Sequence, residues 1–114
     1  MLFRSDISSY DEIGKIYYSK KDYLNAVHYF ELGTNYFEPN AIYHLAICYS
    51  KGEGAHLDLQ KAINLYEIGI SKGHARCAYN LAFLYKNGLG VKIDDEKYEN
   101  LMRKYQELLH NTKI

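Results

Sequence analysis

The chain has 114 residues, of which 47% are hydrophobic and 25% are charged, so it is long enough for one domain with its own core. Its 14 basic and 14 acidic residues cancel, which argues against a dedicated nucleic-acid binder, because such proteins carry a basic excess. The sequence starts without the apolar stretch of a signal peptide, and no run reaches the roughly 18 apolar residues of a membrane span. We therefore expect a cytoplasmic protein that binds neither nucleic acid nor membrane.

Apolar residues recur every three or four positions in six segments, a spacing typical of amphipathic helices. The predicted helices cover residues 8–19, 22–36, 40–51, 58–71, 76–87 and 94–110. The last of them has the clearest apolar face, made of Tyr98, Leu101, Met102, Tyr105, Leu108 and Leu109. Its other face is polar, so we expect this helix to close the carboxy-terminal end of the domain.

Capping and turn residues separate these helices. Ser9-x-x-Glu12 predicts a capping box at the start of the first helix, and Asn40 is predicted to cap the third. The second, fourth and sixth helices each follow an aspartate that can cap them: Asp22, Asp58 and Asp94. Four glycines are expected to end helices in the left-handed conformation: Gly33, Gly52, Gly73 and Gly88.

The sequence also repeats itself. The segment that starts at Ala41 aligns without a gap with the segment that starts at Cys77, an offset of 36 residues. The identical pairs are Tyr43/Tyr79, Leu45/Leu81, Ala46/Ala82, Tyr49/Tyr85, Gly52/Gly88, Gly54/Gly90, Asp58/Asp94, Lys61/Lys97 and Leu65/Leu101. A first copy precedes them, but it lacks four residues where the later copies carry a Gly-x-Gly turn. A regular period of this length predicts stacked helix–turn–helix units.

We therefore expect an all-α fold with about six helices and three units, unit one at 8–38, unit two at 40–75 and unit three at 76–110. The three units form a single domain over residues 1–114. Cys48 and Cys77 are expected to be reduced thiols packed inside it.

Units two and three resemble the Sel-one-like repeat family, a branch of the tetratricopeptide superfamily. The matching residues are IYHLAICYSKGEGA at 42–55 with Asp58, Lys61, Ala62, Tyr66 and GISKGHA at 69–75, and AYNLAFLYKNGLGV at 78–91 with Asp94. Unit one is more similar to an ordinary tetratricopeptide repeat, through Tyr10-x-x-Ile13-Gly14-x-x-Tyr17 and Ala26-x-x-x-Phe30. One departure is Tyr98, which replaces a small alanine, so unit three is expected to pack differently there.

The resemblance implies a right-handed α-solenoid in which the first helix of each unit lines a concave face and the second helix forms the convex back. Members of this family generally act as scaffolds and adaptors. The helical phase of the family places an aromatic strip flanked by lysines on the concave face. Its predicted members are Asp11, Lys15, Tyr18, Tyr43, Ile47, Lys51, Tyr79, Phe83 and Lys86. The alternative is that Tyr43 and Tyr79 pack between neighbouring helices.

Other patterns have simpler explanations. The Gly-x-Gly pairs lack the preceding strand and the Lys-Ser/Thr of a phosphate loop, so we interpret them as turns. His44 with Cys48, and His74 with Cys77, are too few ligands for a zinc site. Residues 94–96 form an acidic cluster at a helix start, where capping explains it. No catalytic residue, metal or cofactor is therefore predicted.

The sequence thus predicts a protein-interaction module, an adaptor or scaffold that binds a peptide or a protein surface through its concave face. The alternative is a small viral, phage or bacterial inhibitor or effector that occludes a target protein, and an enzyme is the least expected. The open ends of a solenoid also offer surfaces for self-association, with Leu2, Phe3 and Ile7 at the amino-terminal end.

Overall fold

The computed structural model describes residues 9–112, and this part of the chain consists of six helices and their turns. The helices are α1 (Tyr10–Ser19), α2 (Tyr23–Asn35), α3 (Pro39–Lys51), α4 (Leu59–Ser71), α5 (Ala75–Asn87) and α6 (Asp95–Thr112). Successive helices pack as hairpins, and the hairpins stack side by side as an all-α, tetratricopeptide-like solenoid. Leu2, Phe3 and Ile7, which the sequence places at an open amino-terminal end, lie outside the described residues.

Most of the predicted caps are confirmed. The Ser9 hydroxyl accepts a hydrogen bond from the Glu12 amide at 3.1 Å. The three capping aspartates each accept one from the amide three residues further on, and they are Asp22, Asp58 and Asp94. The prediction for Asn40 is wrong, because α3 begins one residue earlier, at Pro39. Proline suits this first helical position, where its missing N–H has no helical partner anyway.

The glycine predictions divide into two groups. Gly52, Gly73 and Gly88 have positive φ angles of 71°, 86° and 68° at helix ends, as predicted. Gly33 does not, because it lies inside α2 and the left-handed residue after that helix is Phe37. A Cβ on Gly33 would lie only 2.5 Å from the Ala41 Cβ, so this glycine allows α2 and α3 to approach closely.

Adjacent units meet through two repeated contacts. Gly69 repeats the role of Gly33, since a Cβ there would lie 2.3 Å from the Cys77 sulfur of the next unit. The second glycine of each long turn contacts the second helix of the preceding unit, Gly54 against Tyr23 and Gly90 against Leu59. Unit one has no preceding unit within the described residues, and it is also the one with the short turn, over residues 20–22.

The surface that receives the next unit changes in α6. In the 36-residue register, Asp95 and Tyr105 of α6 replace Leu59 and Gly69 of α4. An acidic residue replaces the apolar contact, and a bulky ring fills the space that the glycine leaves open. The α6 surface therefore differs from the α2 and α4 surfaces at the joints between the three units.

The core runs through all three units, and its largest fully buried side chains are Phe30, Ile42, Cys48, Cys77 and Leu81. Both cysteines are free thiols, as predicted. Burial raises the pKa of each thiol to about 12, so neither is a reactive thiolate near neutral pH. Within residues 9–112, no helix has both the length and the apolar character that a membrane crossing requires.

Candidate functional site

The first helices of units two and three enclose a groove of about 570 Å³. α3 contributes Tyr43, Ile47, Ser50 and Lys51, and α5 contributes Tyr79, Asn80, Phe83 and Leu84. Leu59 and Tyr66 of α4, together with Leu89 of the last turn, complete the lining. We call this cavity the main groove. Five of the predicted strip residues lie in it, so the structure brings together the strip residues of units two and three other than Lys86.

A smaller groove of about 180 Å³ lies between α5 and α6. Its lining residues are Tyr79, Phe83, Lys86, Asn87, Tyr98 and Met102. Tyr79 and Phe83 line both grooves, so their side chains form a ridge along α5, which we call the aromatic ridge. These residues remain 48% and 55% exposed, respectively. The ridge is therefore a partly exposed aromatic surface between the two grooves.

Tyr43 occupies the repeat position of Tyr79 but is only 8% exposed. The His74 ring stacks on it with a centroid distance of 4.7 Å, and the Arg76 guanidinium lies 5.0 Å from its centroid on α5. Tyr43 thus packs between neighbouring units, as the alternative interpretation expects, while its edge still lines the main groove. It supports the groove wall more than it offers a free contact surface.

The floor of the main groove is polar but neutral. The Asn80 amide donates a hydrogen bond to the Tyr66 hydroxyl at 3.2 Å. Burial is the main cause that raises the pKa of Tyr66 to about 12, so this phenol keeps its proton at physiological pH. An amide and a hydroxyl of this kind can orient a peptide backbone without adding a charge.

Among residues 9–112, Lys51 and Lys86 are the only charged residues that line the two grooves, one in each. Lys51 is the last residue of α3 and Lys86 lies near the end of α5, so both lie at the same end of the face. The Lys86 amine lies 3.8 Å from the Asp95 carboxylate and 5.0 Å above the Tyr98 ring. Both members of that ion pair are more than half exposed, so solvent screens it strongly.

The α1 end of the predicted strip is organised differently. Lys15 is exposed, and Tyr18 donates a hydrogen bond from its hydroxyl to the Glu53 carboxylate in the first Gly-x-Gly turn. Burial and this carboxylate raise the pKa of Tyr18 well above its ordinary range. Neither residue lines the two grooves, but both occupy the repeat positions of α3 residues that do, Ile47 and Ser50.

The predicted position of Asp11 is wrong. The sequence places it on the concave face, but its residue is only 3% exposed and its carboxylate lies 2.7 Å from the His44 Nδ1. The His44 ring in turn stacks on Phe30 at 5.2 Å. Asp11 therefore joins α1 to α3 inside the solenoid. A buried carboxylate needs such a partner because burial alone would penalise its charge.

The histidines and glycines of the other motifs have structural contacts or turn conformations. No three potential ligands cluster as a metal site among residues 9–112. His44 contacts Asp11, and His74 contacts the Asn40 amide oxygen at 2.8 Å. Both Gly-x-Gly segments are turns whose glycines all have positive φ.

Sequence reasoning missed six residues of the main groove: Ser50, Leu59, Tyr66, Asn80, Leu84 and Leu89. Five of them lie on helices, where the packing between neighbouring units determines which side chains stay exposed. The sequence could have indicated Leu89 as a groove residue, because it is the central residue of a Gly-x-Gly turn and replaces the acidic Glu53 of unit two. An apolar residue at an otherwise polar turn position indicates a contact surface.

Comparison with known families supports the resemblance. The Sel1 repeat family model matches residues 12–35, 39–74 and 75–97. The first match lies in unit one, which corrects its interpretation as an ordinary tetratricopeptide repeat. Unit one is similar to the same family and differs by its shorter turn. No curated protein sequence matches the chain.

Among solved structures, the crystal structure of a Sel1 repeat protein from Oxalobacter formigenes is similar to this chain, with a TM-score of 0.78. The two sequences are 19% identical, and the match covers 87% of this chain and 42% of the other. At that identity the likeness concerns the fold alone. The chain spans less than half the length of that protein.

Proposed function

Because this chain belongs to the Sel1 repeat family, whose members are generally protein-interaction modules, we propose that it binds a protein or peptide through the face formed by α1, α3 and α5. Family membership supports the general role, and the grooves support the location. We assign it no catalytic residue, metal or cofactor, in keeping with a family that generally provides non-enzymatic scaffolds.

The aromatic ridge is the observation that carries the proposal. Large aromatic side chains in the centre of a contact surface dominate the free energy of protein binding, because they bury much apolar area at a small loss of conformational freedom. Tyr79 and Phe83 have this central position, with a groove on either side. A partner that inserts apolar side chains into both grooves would cover the ridge completely.

The other predicted residues have supporting roles in this proposal. Ile47 and the buried Tyr43 form the opposite wall of the main groove. Lys51 and Lys86 lie at the rim, where charges affect association rate and selectivity more than affinity. Lys15 and Tyr18 extend the face along α1.

The test is affinity purification from the native source, followed by quantitative mass spectrometry, with the wild type and two double variants. Tyr79→Ala with Phe83→Ala removes the aromatic ridge. Leu24→Ala with Ile68→Ala is the matched control, since it removes two exposed apolar side chains from the second helices α2 and α4.

We expect the ridge variant to lose partners that the control variant retains, while both variants unfold at temperatures close to that of the wild type. Equal partner recovery by all three proteins would show that the aromatic ridge is not the binding surface. Measuring the activity of a recovered partner with and without the chain then separates an adaptor, which leaves that activity intact, from an inhibitor.

A further inference from the structure

The charge in the lining of the main groove is basic. Among residues 9–112, Lys51 is the only charged residue in this lining, and no carboxylate contributes to it. Arg76 lies beside the opposite end of the groove, with its guanidinium over the Tyr43 ring. The chain as a whole has no net charge, so this local basic excess is a property of the groove and not of the composition.

The two cations are available to a partner. Within residues 9–112, neither Lys51 nor Arg76 forms an ion pair with a carboxylate. Glu53, the acidic residue nearest to Lys51 in sequence, already accepts a hydrogen bond from Tyr18. Both cationic residues are exposed.

The two cations also bracket the groove at a defined distance. Arg76 contacts Tyr43, and Lys51 lies eight positions after Tyr43 on α3. At a rise of about 1.5 Å per residue, this corresponds to about 12 Å along the groove. An extended peptide covers that distance in about four residues, at about 3.3 Å for each.

We infer that the main groove binds an extended acidic segment of a partner, an inference that rests on the proposed function. The segment carries two carboxylates about four residues apart, with a large apolar side chain between them. The apolar side chain packs against the aromatic ridge and Ile47. The carboxylates pair with Arg76 and Lys51, and the Asn80 amide in the groove lining contacts the peptide backbone. Basic and neutral segments lack this complementarity.

A twelve-residue random peptide library displayed on phage tests the inference with the full chain as bait. Binders to the wild type are counter-selected against the Tyr79→Ala, Phe83→Ala double variant, so that only sequences that depend on the ridge remain. We expect Asp or Glu to be enriched at two positions three to five residues apart, on either side of an aromatic or aliphatic residue.

Enrichment of ridge-dependent sequences without paired acidic residues would overturn the acidic segment and leave the proposed function standing. A library that yields no ridge-dependent sequence would overturn the extended peptide as occupant. The proposed function is judged separately by the native partners that depend on the ridge, so the two failures are distinguishable.

Charge variants give a second measurement, by fluorescence anisotropy with one enriched peptide and its Asn/Gln-substituted copy. Lys51→Gln and Arg76→Gln should each weaken the acidic peptide about two- to fivefold, as expected for an exposed ion pair, and leave the amide copy unchanged. Lys92→Gln, an exposed lysine outside both grooves, is the control. Equal affinities of the two peptides for the wild type would contradict the pairing.

Discussion

Tyr43 and Tyr79 occupy the same position of the repeat, 36 residues apart, yet one is 8% exposed and the other 48%. The difference comes from the unit that follows. Tyr43 has His74, which precedes α5, and Arg76 of α5 packed against its ring, whereas Tyr79 has Tyr105 of α6 beside it, with 5.2 Å between the ring centroids. In unit two this tyrosine is part of the joint, and in unit three its ring stays partly exposed.

The position of a residue in the repeat determines where its side chain points but not what covers that side chain. In a solenoid each unit contacts only its neighbours, so the same repeat position can be covered differently in different units. A binding surface can therefore arise in one unit without any change in the repeat residue. Variants at equivalent repeat positions, or at the contacts that make those positions different, test this explanation.

The largest expected effect is the stability difference between Tyr43→Ala and Tyr79→Ala. Tyr43→Ala should lower the free energy of unfolding by about 3 kcal/mol, because it leaves a cavity between two units. Tyr79→Ala should lower it by less than about 1 kcal/mol, since the ring is half exposed. Urea denaturation of both variants measures the difference, and equal losses would mean that both tyrosines have the same role.

The joint itself can be tested at Gly69. Gly69→Ala should destabilise the fold by about 2 kcal/mol, because the new methyl group would overlap the Cys77 sulfur, and overpacking outweighs the higher helix propensity of alanine. Asn64→Ala, an exposed position on the same helix, is the control.

Cys77→Ala in the Gly69→Ala background should restore part of that loss, because it removes the overlapping sulfur. Denaturation of the two single variants and the double variant gives their coupling energy. Additive effects would show that the two residues do not form the joint.

The His74 imidazole that stacks on Tyr43 should make the joint sensitive to acid. Burial and the nearby Arg76 and His44 charges lower the pKa of His74 to about 4, whereas the unfolded chain binds this proton near pH 6.5. Between pH 6.5 and 4 the unfolded state binds more protons, so the contribution to stability falls as the pH falls. We expect a loss of about 1–2 kcal/mol in that window for a partly exposed group.

Stability against pH for the wild type and His74→Gln measures this contribution. Asp11 also faces His74 and favours its protonated form, so the two curves are compared as a difference. The His74→Gln curve should be flatter between pH 6.5 and 4. Parallel curves would show that His74 titrates alike in the folded and unfolded chains.

The smallest effect concerns Phe37 and Gly73, a second pair at one repeat position. Phe37 has a φ angle of 61° in the turn before α3, where the next unit has a glycine with a φ angle of 86°. Phe37→Gly should therefore be more stable than Phe37→Ala by about 1 kcal/mol, since only glycine enters the left-handed region freely. Thermal denaturation compares the two variants, and an alanine variant of equal stability would contradict the left-handed turn.

Much of the fold follows from the sequence. The 36-residue register gives the helix pairs, and Asp22, Asp58 and Asp94 mark the starts of the second helices because a capping side chain acts locally. The repeated Lys61/Lys97 and Tyr49/Tyr85 identities also have a physical reason. Each lysine amine lies about 5 Å above the tyrosine ring of its own unit.

The remainder depends on contacts between units, which no local pattern shows. Gly33 resembles a helix end in the sequence but serves the close approach of Ala41. Asp11 has the helical phase of the concave strip, yet it is buried because His44 of the next unit reaches it. The groove residues from α4 were missed for the same reason, since their accessibility depends on how α3 and α5 are spaced.

Photo-crosslinking is the measurement that tests the proposed binding face most directly. Benzoylphenylalanine is introduced at Phe83 on the aromatic ridge or, in a separate variant, at Ile68 on α4, and each protein is irradiated in an extract of the native source. We predict a discrete crosslinked partner from position 83 and none from position 68, with the yield at 83 reduced by Tyr79→Ala. A partner captured from position 68 but not from position 83 would contradict binding through the α1, α3 and α5 face.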